Sequence, residues 1–268
     1  MKKLFIITAI AASCFTSFAQ DQPEKSNRKE TRKEDKKKKI NDLIRQDEEG
    51  VLVYSKQSVF GVQLRTNGYG FFVEKGKMKT QLKATMYRID FSEIKHPKED
   101  KLPNSSGGFT FGNPYIYGKI NNFYQLQLSL GQQKILGQKG NKNGIAVSAL
   151  YSGGLSMGLL RPYYIQVDES GITRTIKYTP QDSTLFTTGF IIGGGGLGKG
   201  WSEIKIKPGA FTRASLRFDF GRFNEVVSAI DIGISAEFYS SKIPIMLYQK
   251  EKSFYYQGHI AVMFGHRK

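Results

Sequence analysis

From residue 51 to the C-terminus, apolar and polar side chains alternate with a period of two in eight separate stretches. A period of two places successive side chains on opposite faces of a β-strand, and an amphipathic helix does not produce it. The sequence therefore predicts an all-β fold after the first fifth of the chain. The predicted strands are residues 58–66, 69–75, 80–92, 122–131, 144–160, 209–220, 226–239 and 253–264.

The composition of the polar face separates the two kinds of barrel that such strands can form. A soluble barrel turns this face to water, where Lys and Glu are the common residues. In these strands the polar face holds mostly Gly, Ser, Gln and Ala, which suit a narrow lumen, and the other face holds Leu, Ile, Val, Phe and Tyr. A polar interior and an apolar exterior predict a single antiparallel transmembrane β-barrel. A soluble exported barrel is the alternative.

The connections between the strands indicate how the barrel is oriented. Transmembrane barrels have short periplasmic turns and longer outer loops, and about ten residues of tilted strand cross the hydrocarbon layer. The expected periplasmic turns are 76–79, 132–143 and 221–225, and the expected outer loops are 67–68, 93–121, 161–208 and 240–252. An eight-strand barrel follows. A ten-strand barrel, which adds 163–168 and 185–192 as a hairpin, is the alternative.

The first nineteen residues have the layout of a secretory signal peptide. Lys2 and Lys3 precede an apolar stretch, and Ser17-Phe18-Ala19 provides the small residues of a cleavage site, so we expect cleavage after Ala19. The alternative is a lipoprotein signal at Cys14, the only cysteine of the chain. The expected location is the cell outer membrane, and the mature chain has no cysteine for disulfides or thiolate metal sites.

Residues 20–50 form a separate, highly charged segment with ten Lys/Arg and nine Asp/Glu. This composition predicts a disordered or short helical periplasmic extension, which either tethers the barrel or binds an anionic partner. The formal net charge of the whole chain is +17. Because the chain is exported, we expect outer-membrane lipids, with lipopolysaccharide as a candidate, rather than nucleic acid to supply the opposite charge.

Residues 51–268 resemble small outer-membrane barrels of the outer membrane protein A and X kind, in particular members with a charged N-terminal extension. The resemblance is carried by the alternating strands and by a last strand that ends in Phe264, close to the C-terminus. Gly265-His266-Arg267-Lys268 after this aromatic residue departs from the strictest pattern. The resemblance implies a closed eight-strand barrel, and it carries over neither a substrate nor a catalytic residue.

Two features of the sequence could indicate chemistry. Gly193 to Gly200 approaches a phosphate-binding loop, but the Ser or Thr that must follow Lys199 is replaced by Gly200. His259 lies on the polar face of the last strand, where a barrel hydrolase could use it with a serine and an acid. A structural histidine is the simpler interpretation. We therefore expect no enzyme activity, no catalytic residue, no metal site and no cofactor.

Charged residues on the polar face of the last strands predict an ion-pair network inside the barrel. An eight-strand barrel is only wide enough for side chains to fill its interior, and charges buried there must pair. The predicted lumen network consists of Arg213, Arg217, Asp219, Asp231, Glu237 and His259. The expected function is structural or binding, through the outer loops and the periplasmic extension. A small pore and a lipid-modifying enzyme are the alternatives.

Overall fold

The computed structural model describes residues 34–38, 40–41, 54–106, 109–140, 144–221 and 225–268. The chain divides into two units, Met1–Glu48 and Glu49–Lys268. In the first unit, residues 34–38, 40 and 41 are helical and exposed. The predicted signal peptide and most of the charged extension lie outside the described residues. No helix in the described part of the chain is long and apolar enough to cross a membrane.

The second unit is built from antiparallel strands. In its described residues there are thirteen strands and one short α-helix, α1 (Ser183–Thr188). The strands are β1 (Lys56–Arg65), β2 (Gly68–Thr80), β3 (Lys83–Ile94), β4 (Lys101–Ser106), β5 (Phe109–Ile116), β6 (Asn121–Gly137), β7 (Ala146–Pro162), β8 (Tyr164–Glu169), β9 (Ile172–Lys177), β10 (Phe190–Gly194), β11 (Lys205–Asp219), β12 (Val226–Ile243) and β13 (Lys252–Arg267).

Eight of these strands close into a barrel in the order β1-β13-β12-β11-β7-β6-β3-β2. The first and last strands meet with Gln57 opposite Arg267 and Arg65 opposite His259, so no sheet edge is left open. The eight predicted strands are these eight, and the predicted fold class is confirmed. The ten-strand alternative is wrong. Residues 164–169 and 190–194 do pair with each other, but in a separate sheet outside the barrel.

Several strands are longer than the sequence pattern predicts. Residues 76–79, predicted as a turn, continue β2, and residues 132–137, also predicted as a turn, continue β6. The reason is that the outward residues change from apolar to polar while the strand continues: Val73 is followed on that face by Lys75, and Leu130 by Gln132. We call the end of the barrel at which β1 begins the inner end, and the opposite end the outer end. The connections at the inner end are accordingly 81–82, 138–145 and 220–225, and those at the outer end are 66–67, 95–120, 163–204 and 244–251.

Two of the outer connections fold into a compact structure, which we call the outer cap (described residues 101–106, 109–116 and 164–203). β4 pairs with β5, and β8 pairs with both β9 and β10. The cap has its own hydrophobic core of Ile165, Val167, Ile176, Phe186 and Ile191. β10 packs closely on β5, since a Cβ atom at Gly193 would lie 2.6 Å from the backbone oxygen of Asn113. The described residues of these two connections therefore form regular structure with a core of its own.

Candidate functional site

The side chains that point into the barrel are mostly polar and are removed from solvent. Four arginines and four carboxylates fill the middle of the lumen, and the side chain of each is at most 5% exposed. The opposite charges are equal in number, so the cluster is formally neutral. Its members are Arg65, Arg88, Arg213, Arg217, Glu74, Asp90, Asp231 and Glu237.

Arg217 forms the best-defined part of this cluster. Its two terminal nitrogens donate to the two carboxylate oxygens of Glu74 at 2.6 and 2.9 Å. Nη2 also donates to Asp231 at 3.2 Å. Because Glu74 is on β2 and Arg217 is on β11, this bidentate pair crosses the lumen.

A second group surrounds Asp90. Its Oδ1 accepts from Arg88 Nη2 at 2.8 Å, and its Oδ2 accepts from Arg213 Nη1 at 3.2 Å. Arg213 also donates to Gln127 at 2.8 Å, and the Arg88 guanidinium lies 3.5 Å above the ring of Phe72. Each arginine is thus held by more than one partner, which offsets the cost of burying its charge.

Glu237 organises the part of the lumen nearer the outer end. It accepts from Arg65 at 2.9 Å and from Gln127 at 2.9 Å, and also from Gln125 and Gln257. The next layer is aromatic: the rings of Phe123, Tyr239 and Tyr255 contact one another, with centroids 5.6 to 5.9 Å apart. They pack in a hydrophobic cluster with Ile94, Leu160, Ile243 and Ile245. This cluster closes the outer end of the lumen.

All six residues of the predicted lumen network are buried inside the barrel. Asp219 is apart from the central cluster, near the inner end, where Arg267 donates to it. His259 Nε2 lies 3.6 Å from Asp231 Oδ1, and in the described residues no hydrogen bond joins this histidine to a serine. A buried histidine without a serine partner does not have the geometry of a hydrolase. The functional role of the six residues stays a prediction.

The sequence pattern missed half of the central cluster, although a signal for it exists. The missed residues are Arg65, Glu74, Arg88 and Asp90. Each lies at an inward position of a predicted strand, where a charge must find a partner. Arg88 and Asp90 were missed because β3 is the least regular of the predicted strands, so its sequence pattern does not indicate which face points inward. Arg65 and Glu74 lie on β1 and β2, where alternation alone marks them as inward-facing.

Buried side chains fill the described middle of the lumen. The cavity beside Glu74, Arg88, Arg213 and Asp231 has a volume of about 20 Å³, which is enough for about one water molecule. The glycine-rich stretch from Gly193 to Gly200 does not lead into a phosphate-binding helix: Gly193 and Gly194 belong to β10, and Trp201–Glu203 form a single 3-10 helical turn. A nucleotide site would need a longer helix at that point.

The outside of the barrel carries a belt of exposed hydrophobic side chains. Leu64 is 70% exposed and Leu155 is 67% exposed, although both lie within regular strands. Aromatic rings line the outer side of the belt: Phe71, Phe91, Tyr124 and Trp201 lie in a row with centroids 5.5 to 5.9 Å apart. An apolar belt flanked by aromatic residues matches the lipid-facing surface of a membrane barrel.

A pocket of about 260 Å³ opens at the outer mouth of the barrel. Lys95, Lys250 and Lys252 line it together with one carboxylate, Glu251, and the Nζ atom of Lys95 lies 5.0 Å from the ring centroid of Tyr69. Its apolar wall includes Ile243, Ile245, Met246, Phe254, Tyr255 and Tyr256. Phe254 and Tyr256 are exposed on the lipid-facing side of β13. The pocket therefore combines positive charge with an apolar surface that is continuous with the belt.

His96 also lines this pocket and has an altered pKa. Burial lowers the pKa of His96 below its ordinary value, the carboxylate of Glu99 opposes this change, and the charges of Lys252 and Lys98 add to it. The lowered pKa favours the neutral form of this histidine at pH 7. It becomes a further positive charge of the pocket only in more acidic solution.

Together, the closed sheet, the filled polar lumen and the apolar exterior define a small transmembrane β-barrel of the outer-membrane type. No family model matches the chain, and no curated protein sequence matches it.

Comparison with solved structures finds small β-barrels. Ail, the attachment invasion locus protein of Yersinia pestis, solved with the heparin analogue sucrose octasulfate, is 12% identical with a TM-score of 0.39, over 81% of this chain and 100% of Ail. The N-terminal β-barrel domain of Pseudomonas aeruginosa OprF is 10% identical with a TM-score of 0.33, over 79% and 98%. Neisserial surface protein A is 8% identical with a TM-score of 0.35, over 80% and 96%. These similarities concern the fold alone.

Proposed function

We propose that the chain is an integral outer-membrane protein with a closed lumen, which binds lipopolysaccharide of the surrounding leaflet at its outer mouth. The observation that carries this proposal is the mouth pocket. Its three lysines supply the charge that phosphate groups need, and its wall of Phe254 and Tyr256 continues into the lipid-facing belt. A ligand with both phosphates and acyl chains fits this combination better than a soluble anion does.

Two rival functions are less well supported by the geometry. A pore requires an open lumen, but the central ion cluster and the aromatic layer above it fill the described interior. A lipid-modifying enzyme requires an accessible nucleophile and base, but His259 is buried and faces Asp231 instead of a serine. A binding role needs only the outer pocket and the ordered outer cap.

The proposal also includes the charged segment 20–50, which we interpret as a periplasmic extension. The chain enters β1 at the end that carries the short connections, which in membrane barrels is the periplasmic end. We place in the periplasm both this extension and any anionic partner that it binds. Loss of binding to periplasmic extract after deletion of residues 20–50, with an unchanged barrel, is the expected sign of such a partner.

The proposed ligand can be tested with the mature protein folded in a neutral detergent. We expect the variant Lys95→Gln/Lys250→Gln/Lys252→Gln to bind lipopolysaccharide about a hundredfold more weakly, from roughly 1 kcal/mol per lysine near an anionic surface. The matched control Lys98→Gln/Lys101→Gln/Lys199→Gln removes the same charge from exposed outer positions outside the pocket.

Three results would argue against the proposal. Equal affinity of the two variants would show that the pocket is not the site. Equal affinity of the wild type for lipopolysaccharide with and without its phosphates would exclude phosphate recognition. Steady single-channel conductance in a planar bilayer would contradict the closed lumen.

A further inference from the structure

Six lysines lie together on the outer wall of the barrel, near its inner end. We call them the inner lysine patch: Lys56, Lys75, Lys77, Lys79, Lys83 and Lys134. They occupy four adjacent strands, β1, β2, β3 and β6. The strand register brings them into direct contact range, with Lys56 opposite Lys77 and Lys83 opposite Lys134.

These lysines point in the same direction as the lipid-facing residues. On β2 the exposed face is Tyr69, Phe71 and Val73, and it continues with Lys75, Lys77 and Lys79. Strand alternation requires these residues from Tyr69 to Lys77 to leave the same side of the sheet. Lys79 lies at a register shift between Met78 and Thr80, and it is also exposed and lines a groove of the same wall. The patch is therefore a direct continuation of the apolar belt, at the level where a lysine can keep its stem in the membrane and its charge in the headgroup region.

The charges of the patch are not balanced by the protein. In the described part of the chain, none of the six lysines forms an ion pair, although the same strands carry acidic residues on their inward face. Like charges directly opposite each other on neighbouring strands destabilise a sheet. An external anion is the simplest way to offset this repulsion.

Two grooves lie beside the patch on the same wall. The first has a volume of about 400 Å³ and is lined by Lys79, Thr85, Gln132, Tyr151 and Thr212, with Gly153 at its floor. The Tyr151 hydroxyl donates to Gln132 at 2.6 Å. The second groove, of about 410 Å³, shares Tyr151. Its remaining wall is largely apolar: Ala149, Ala214, Leu216, Ile232 and Ile234.

We propose that the inner lysine patch and these grooves bind an anionic phospholipid of the periplasmic leaflet. The phosphate lies among the lysines, the polar groove accommodates the glycerol region, and the apolar groove accommodates part of an acyl chain. A lipid fits better than an acidic protein because the charged and apolar parts form one continuous lipid-facing surface. This inference rests on the membrane placement proposed above, and it does not depend on the outer pocket.

The test uses the mature protein in vesicles of phosphatidylcholine and phosphatidylglycerol in equal amounts, followed by native mass spectrometry of the lipids that stay bound. We expect the wild type to retain phosphatidylglycerol in preference to phosphatidylcholine. Lys75→Gln/Lys77→Gln/Lys79→Gln should reduce this preference about a hundredfold. The control Lys98→Gln/Lys101→Gln/Lys199→Gln, with the same loss of charge at the outer end, should keep it.

A second variant tests the groove without changing any charge. Gly153→Leu fills the first groove from its floor, and a Cβ atom there would meet only the backbone oxygen of Phe211, at 3.4 Å. We expect this variant to fold and to lose retention of phosphatidylglycerol. An unchanged preference in Gly153→Leu would refute the groove as part of the site.

The remaining outcomes are also decisive. Equal retention of the two lipids by the wild type would overturn the proposal, as would an equal loss in the inner and outer lysine variants. Failure of the wild type to float with vesicles would refute the membrane placement itself. If the wild type does not bind lipopolysaccharide but still prefers phosphatidylglycerol, only the proposed function would be refuted.

Discussion

Replacement of Arg217 by alanine should destabilise the barrel more than any change on its surface. The side chain is buried, and it contacts Glu74 through two hydrogen bonds and Asp231 through a third. Without it, two carboxylates remain inside the lumen with fewer positive partners. Arg88 is the nearest remaining cation to Glu74, but its Nη1 is 3.9 Å away and its other bonds are to Asp90 and Gln63. Rearrangement within the network can therefore compensate only in part.

The magnitude follows from the burial of the pair. Removal of one partner of a buried ion pair costs about 3–5 kcal/mol, because the other charge stays buried without compensation. For a protein of this size, 1 kcal/mol corresponds to a change of about 2–4 °C in the unfolding temperature. We therefore expect Arg217→Ala to lower the unfolding temperature by roughly 6–20 °C.

The assay is the gel mobility of the protein folded in detergent, measured after heating to a series of temperatures. Arg174→Ala is the control, because Arg174 forms an exposed ion pair with Glu169 on the outer cap, and such pairs contribute little. The double variant Arg217→Met/Glu74→Gln should recover most of the loss, since it removes one charge of each sign and keeps the cluster formally neutral. If Arg217→Ala unfolds at the same temperature as Arg174→Ala, the argument from buried charge is wrong.

Two further predictions concern the outer end of the protein. Gly193→Ala should make the outer cap sensitive to limited proteolysis while the barrel keeps its heat-dependent gel mobility. The reason is that the new methyl group would overlap Asn113, at a cost of about 1–3 kcal/mol. Gly198→Ala is the control and should have no effect, because a Cβ atom at Gly198 would have no atom within 4 Å. Lipopolysaccharide binding by the wild type should strengthen relative to that of His96→Gln as the pH falls below about 6.5. Burial keeps the pKa of His96 low, so its protonation adds a positive charge to the pocket only in this acidic range. Parallel pH profiles of the two proteins would exclude this role.

The barrel itself could be predicted because each of its strands carries the inside-outside pattern in its own sequence. In β1, the residues Phe60, Val62 and Leu64 are exposed to lipid and the residues between them face the lumen, as alternation requires. The prediction of the strand ends was less accurate at the inner end of the barrel, for a physical reason. Where lipid gives way to headgroups, outward lysines replace outward hydrophobic residues, so the pattern disappears although β2 continues to Thr80.

The outer cap could not be predicted from the same pattern. Its strands are short, six residues in β8 and in β9, and some of its contacts join segments that are distant in sequence. β8 pairs with β10 about 25 residues later, and β10 packs on β5, which belongs to a different outer connection. The residues of such a core, including Phe186 and Val167, have no common period, because they come from a helix and from separate strands.

The lumen network shows which part of a site cannot be predicted from strand patterns. The inward position of Arg217 follows from alternation, and its proximity to Asp231 follows from the pairing of β11 with β12. Its stronger partner, Glu74, is on β2, which is not adjacent to β11 in the sheet. The two residues meet only across the lumen, after β1 has paired with β13 and the sheet has closed. The cross-lumen pair is therefore a property of the closed barrel, and its contribution to stability requires closure to have occurred. An open sheet of the same strands would leave Glu74 and Arg217 apart, which is why the loss of Arg217 is expected to affect the folded barrel as a whole.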